Sequence, residues 1–198
     1  LAELQIIFIG VLLSPWLGWT IPLLVPMQIL FMNLVTDNLP AITLGLNRSS
    51  PDILEQKPRR RSEILNPELI KLLIFNGCLM GILTLLTYFL SYNLLGLPHP
   101  VSQTTALVTL ILLEIASAFN FRSYRFGVLN RHLLANPYLV YASAISLLAT
   151  LIVIYFPPAQ VIFETRTLSL TNWLPALAVT LIIVVVFDLG KRVLGNLI

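Results

Sequence analysis

The chain is poor in charge. Lysine, arginine, aspartate and glutamate make up 11% of its 198 residues, against about 25% in a soluble domain. That shortage, set beside 57% hydrophobic residues, excludes an ordinary globular domain and predicts an integral membrane protein. There is one cysteine, Cys78, so a disulfide framework is excluded. Its place inside a predicted helix makes it a small buried hydrophobe. The two histidines, His99 and His132, fall in loops predicted on opposite sides of the membrane and cannot share a metal. No glycine-rich phosphate loop occurs, and nothing in these residues is equipped to bind or hydrolyse ATP. The net charge of +3 does not point to nucleic acid, because the basic residues are partitioned by topology. No repeat, low-complexity tract or signal-peptide pattern stands out. The opening Leu1-Ala2-Glu3-Leu4-Gln5-Ile6 reads as the middle of a helix already under way, so we expect a piece of a longer chain.

What is present is a series of six hydrophobic segments, predicting an all-α, polytopic transmembrane bundle of about six helices with the first one truncated. The first segment runs from Leu1 to about Leu13, shorter than the roughly 20 residues a crossing takes. Ser14 to Pro26 holds four turn-formers, with Trp16 and Trp19 as expected interfacial anchors. The second helix is placed at about Met27 to Leu46. The third runs from about Pro67 to Leu95, the fourth from Ser102 to Phe121, the fifth from Pro137 to Phe156 and the last from about Asn172 to Leu189. The domain map is therefore one membrane domain over 1–198. It divides into 1–46, a loop over 47–66, a helix pair over 67–121, a second loop over 122–136, and a helix pair with the C-terminus over 137–198.

Eleven of the twelve basic residues fall on one side of that map, in the loops around Arg48 to Lys71 and Arg122 to Arg131 and at Lys191 and Arg192. Arg166 alone lies on the other. By the positive-inside rule both loops and the C-terminus are cytoplasmic. Asn47-Arg48-Ser49 has the form of a glycosylation acceptor, which on that side stays unmodified. Arg59-Arg60-Arg61 is read as a topology determinant.

One stretch breaks the apolar pattern. No charge lies between Glu3 and Asp37, and none follows until Arg48. A lone aspartate in a bilayer-length segment costs about 2.5–3.5 kcal/mol on insertion scales. Asn33, Thr36 and Asp37 stand at i, i+3 and i+4, so a helix puts their oxygens on one face. Pro40 has no amide hydrogen for the carbonyl of Thr36 and clashes with it, so a helix break is expected there. Backbone oxygens freed at membrane depth must line a cavity or bind something. Carboxylate, amide, hydroxyl and carbonyl oxygens together form a hard-oxygen site for a metal cation.

Two more acids, Glu3 and Glu114, lie well inside hydrophobic segments. Three such carboxylates with Asn33 and Thr36 point to one shared ion site. Without a cation, desolvation and mutual repulsion would prevent all three from staying ionised. Such a site would exchange protons for metal. Asp188, beside Lys191 and Arg192, is read as an interfacial ion-pair partner. Gln28, Asn76 and Asn93 are read as interhelical hydrogen-bonding or interface groups, and Gly77 with Gly81 as a small-residue pair that lets a neighbouring helix approach.

The run from Gln28 to Ala41, followed by Leu44-Gly45-Leu46-Asn47, Pro51-Asp52-Ile53-Leu54 and Lys57-Pro58-Arg59, resembles the sixth transmembrane helix and following loop of P-type cation-transporting ATPases. The likeness is greatest to calcium pumps of the sarcoplasmic-reticulum type. Leu113-Glu114-Ile115 with Ala118-Phe119-Asn120 is similar to their eighth helix. Ile154 to Pro158, Phe163 and Leu168 to Trp173 are similar to the ninth helix and its exit. The resemblance implies that the six segments are helices five to ten, and that Glu3, Asn33, Thr36, Asp37 and Glu114 are metal ligands. It also implies ligands absent here, an asparagine before Leu1 and others from the fourth helix. The phosphorylated aspartate and the nucleotide-binding domain are absent too, so ATP and Mg2+ would act only through the missing cytoplasmic domains. Asn38 departs from the glycine usual in the animal calcium pumps.

Sodium–potassium pumps of this family carry an aspartate where Asn33 stands, and two-ion calcium pumps carry both acids, so the resemblance implies calcium as the transported cation. The expected partners are the bilayer and the N-terminal remainder of the pump, with no nucleic acid. The loop over 47–66 is the expected mechanical contact to the cytoplasmic domain. The alternatives are a stand-alone or accessory membrane protein derived from a pump, or a pump for sodium, protons or another divalent metal.

Overall fold

The computed structural model describes the backbone of residues 1–46, 67–121 and 136–195, and side chains within 1–46, 70–121 and 136–187. The two basic loops, His132 and the side chains of Asp188, Lys191 and Arg192 lie outside the described residues. Every regular element among those described is helical. Among the described residues four helices are long and apolar enough to cross a membrane: Ile70–Leu94, His99–Phe121, Pro137–Tyr155 and Leu170–Phe187. The chain is a multi-pass membrane protein.

The first helix, α1, is Ala2–Leu17, ending four residues beyond the expected Leu13. Pro15 removes the amide that would bond the Val11 carbonyl, yet the Ser14 hydroxyl donates to that same carbonyl at 2.9 Å. With the acceptor satisfied locally, the helix passes through the proline and ends at Gly18, whose φ of 65° gives the left-handed cap. Trp16 is 87% exposed, as an interfacial anchor requires. Trp19 is not an anchor. It is 6% exposed, packs edge-on against Tyr88, and donates its indole N–H to Asn93 Oδ1 at 2.7 Å.

The ion-site helix runs unbroken from Pro26 to Gly45 in three pieces: α2 (Pro26–Phe31), a π-helical segment (Met32–Asp37) and α3 (Asn38–Gly45). The expected break at Pro40 does not occur. The ladder widens instead into a π segment over the turn N-terminal to it.

The next helix, α4, is Pro67–Phe89 and continues as a π segment over Leu90–Leu94. Gly77 and Gly81 admit α1 closely. A Cβ at Gly77 would lie 2.8 Å from Leu1 Cδ2, and one at Gly81 would meet the Gln5 amide oxygen. Cys78 is half-buried and accepts a hydrogen bond from Gln5 Nε2 at 3.0 Å.

The centre of the bundle is α5 (His99–Phe121), in contact with α4, α3, both π segments and the helices Pro137–Tyr155 and Leu170–Gly195. It starts three residues earlier than expected, so His99 stands on a helix, within 2.8 Å of the Tyr88 hydroxyl. Leu107, Leu110, Ile111 and Leu113 are fully buried. The buried hydroxyls of Thr104, Thr105 and Thr109 return to carbonyls four residues back in the same helix, which lets polar residues sit in this core.

Two more spans complete the structure: α6 (Pro137–Tyr155) and α8 (Leu170–Gly195). Between them Pro157 and Pro158 open a short helix, α7 (Pro157–Phe163), that the apolar pattern did not reveal. Leu148, Ile152, Leu174 and Leu181 each expose more than half their surface, the inverse of a soluble fold.

Candidate cation site

Three helices bring acids to one place. Glu3 comes from the first turn of α1, Asp37 from the end of the first π segment and Glu114 from the middle of α5. One carboxylate oxygen of each lies within 4.8 Å of the other two. The spacing Asn33, Thr36 and Asp37 does put three polar groups on one side, but the widened turn fans them out. Asn33 is exposed on the α1 side, and its Nδ2 donates at 3.2 Å to each oxygen of Glu3 and at 3.0 Å to the Ile29 carbonyl. Thr36 is fully buried on the α5 side. Its hydroxyl lies 3.0 Å from the Met32 carbonyl and 3.3 Å from Glu114 Oε2. All five residues singled out from the sequence therefore belong to one cluster, Asn33 through Glu3 and Thr36 through Glu114.

The chemistry of the cluster is anionic and oxygen-rich. Acids held this close repel unless protons or a cation lie among them. Asn33 and Thr36 orient Glu3 and Glu114 by donating to them, and each can turn its own oxygen inward. The second polar layer escaped the sequence reading as a unit. Asn76 of α4 and Ser117 of α5 exchange hydrogen bonds of 3.2 Å, with Ser117 three residues beyond Glu114. On the opposite side, α6 reaches the ion-site helix at two carbonyls. Ser146 donates to Val35 at 3.4 Å and Asn136 Nδ2 to Thr43 at 2.9 Å. A serine in an apolar helix gives little warning of such a role. Gln28, by contrast, does join separate segments, donating to the Phe163 carbonyl at 3.1 Å.

Residues 21–193 match the family described as cation transporting ATPase, C-terminus. The chain belongs to that family. This region is the membrane part of a P-type pump. Calcium-transporting ATPase 1 of Bacillus cereus is 33% identical over 98% of the chain and 23% of its own length. The calcium-transporting ATPase of Bacillus subtilis is 37% identical over 76% of the chain and 17% of its length. The human calcium-transporting ATPase type 2C member 1 is 29% identical over 84% of the chain and 18% of its length. The chain thus spans a quarter or less of each of these relatives, which are much longer proteins.

Proposed function

We propose that this domain holds the transported cation of an ATP-driven pump, that the cation is calcium, and that Glu3, Asn33, Thr36, Asp37 and Glu114 are its ligands. The observation that carries the reading is the convergence of three carboxylate oxygens from three helices within 4.8 Å. Calcium takes about six to eight oxygen ligands in flexible geometry, and three carboxylates, an amide and a hydroxyl supply that kind and number. The names of the relatives support calcium over sodium or another divalent ion. Because protons and metal compete for the same carboxylates, loading a cation releases protons and emptying the site takes them back.

ATP and Mg2+ act in the N-terminal part of the pump, which is the partner of this domain along with the surrounding lipid. Basic loops over 47–66 and 122–136 face the cytoplasm with the C-terminus, and the first of these couples to the cytoplasmic machinery. Phosphorylation there changes the packing of α1, the ion-site helix and α5, opening the site to each side in turn. The test is calcium-dependent phosphorylation of the full-length pump by ATP. Asp37→Asn should abolish calcium activation while phosphorylation by inorganic phosphate without calcium persists. Calcium activation at wild-type concentrations in Asp37→Asn would overturn the assignment.

A further inference from the structure

The short helix α7 (Pro157–Phe163) turns its apolar side away from the protein. Its exposed residues are Pro157, Pro158, Val161 and Ile162, and none of them is polar. They stand at i, i+1, i+4 and i+5, so they form one continuous face, with Val161 81% exposed. The only polar residue of the helix, Gln160, is half-buried on the other side. Its amide donates to the Ile154 carbonyl and to the Thr167 hydroxyl. A helix at a water-covered surface shows the reverse, with the apolar stripe on the core and the polar face outside.

Contacts on two sides fix that orientation. Thr165, just past α7, donates its hydroxyl to the Val153 carbonyl of α6. The Phe163 carbonyl accepts from Gln28 Nε2 of the ion-site helix at 3.1 Å, and the Phe163 ring meets Phe31 with centroids 5.3 Å apart. The neighbours also say what lies outward. Along α6 and its end, Leu148, Ile152 and Phe156 follow at four-residue intervals, each more than half exposed, and Phe156 runs directly into Pro157. Because α6 is long and apolar enough to span, this stripe faces acyl chains. Beside it, Trp173 donates its indole N–H to the Tyr155 hydroxyl at 3.0 Å, and that hydroxyl donates to the Leu168 carbonyl at 2.9 Å. Tyr and Trp collect at the level where lipid meets water. Past Phe163 the exposed residues turn polar, at Glu164, Arg166 and Thr167. α7 therefore stands between an apolar span and a charged loop.

We propose that α7 is a membrane-surface helix whose face of Pro157, Pro158, Val161 and Ile162 is sunk into the lipid interface, at the end of α6 far from the basic loop over 122–136. A helix of this kind lies in the plane of the interface with its apolar face about 5–10 Å into the boundary between headgroups and acyl chains. The occupant is lipid, not a second copy or another polypeptide, because the face prolongs the lipid-facing stripe of α6 and stops where polar residues begin. It holds whichever cation the pump carries.

The test places a fluorophore on α7 in the full-length pump, with all native cysteines replaced (Cys78 included), reconstituted in phosphatidylcholine vesicles. A label at Val161→Cys should be quenched by phosphatidylcholine brominated near the headgroup end of its acyl chains, to the same extent as a label at Leu148→Cys on α6. Aqueous iodide should quench it several-fold less than a label at Arg166→Cys. Iodide quenching at Val161→Cys equal to that at Arg166→Cys would put the face in water and overturn the proposal. A label that neither bromolipid nor iodide reaches would mean that another polypeptide covers the face, and this overturns it as well. The unlabelled wild-type pump gives a second reading that needs no substitution. A phospholipid carrying a carbene precursor close to its headgroup should crosslink to the peptide holding Pro157–Phe163. Crosslinking of the α6 peptide alone would overturn the proposal.

Discussion

Replacing Glu114 with glutamine should have opposite effects on the empty and the loaded site. The amide keeps the shape of the side chain and can still accept from the Thr36 hydroxyl, now 3.3 Å away. What it removes is one charge from a cluster whose oxygens lie within 4.8 Å of one another. At an effective dielectric near 20, two unit charges 4.8 Å apart repel by about 3.5 kcal/mol. That figure sets the scale of the relief for each ionised neighbour, and protons already offset part of it. Without calcium, Glu114→Gln should therefore unfold at the same temperature as wild type or higher. With calcium the sign reverses. An ion at a hundred times its dissociation constant stabilises a protein by about 2.7 kcal/mol, and a site that has lost a charged ligand should lose most of this. The assay is thermal unfolding of the solubilised full-length pump with calcium and with chelator. A variant that unfolds earlier in chelator yet keeps the full calcium shift would show that Glu114 is a structural residue, refuting the electrostatic reasoning.

Two other perturbations probe how the helices hold the ligands. Gly81→Leu places a side chain where Gln5 of α1 already sits, so overpacking of about 1–3 kcal/mol should push away the helix that carries Glu3. Calcium affinity in equilibrium binding should fall together with thermal stability, and unchanged affinity would mean that the α1–α4 contact does not place Glu3. Asn136→Ala removes both a cap and a bridge to Thr43. It should cost about 1–2 kcal/mol in thermal unfolding, with Asn136→Asp, which keeps only the capping oxygen, falling between it and wild type.

The ligand candidates were readable in the sequence because each breaks a local rule. Glu3, Asp37 and Glu114 are acids in apolar runs, and membrane insertion makes such residues stand out. The spans followed from hydropathy for the same reason. Features decided by single hydrogen bonds were not legible. Pro15 reads as a helix stop until Ser14 is seen to satisfy the carbonyl it leaves bare. Pro40 reads as a break, but a break is one of two remedies and the wider π turn is the other. Trp19 has the composition of an interface anchor, yet Asn93 supplies an indole acceptor, and Tyr88 a packing surface, inside the bundle. The contact of Ser146 with the Val35 carbonyl depends on α6 lying beside the π segment, and no pattern in one chain announces that neighbour. Sequence marks what is costly to bury. Which partner offsets the cost is a property of the packed helices.

The central claim is that one dehydrated cation sits among oxygens from α1, the π segment and α5. Anomalous scattering from crystals of the full-length pump grown in calcium tests it most directly. The account predicts a peak with oxygens of Glu3, Asp37 and Glu114 about 2.3–2.6 Å away. A pump that binds calcium with its anomalous peak elsewhere, and with these three carboxylates not bound to it, would contradict the account.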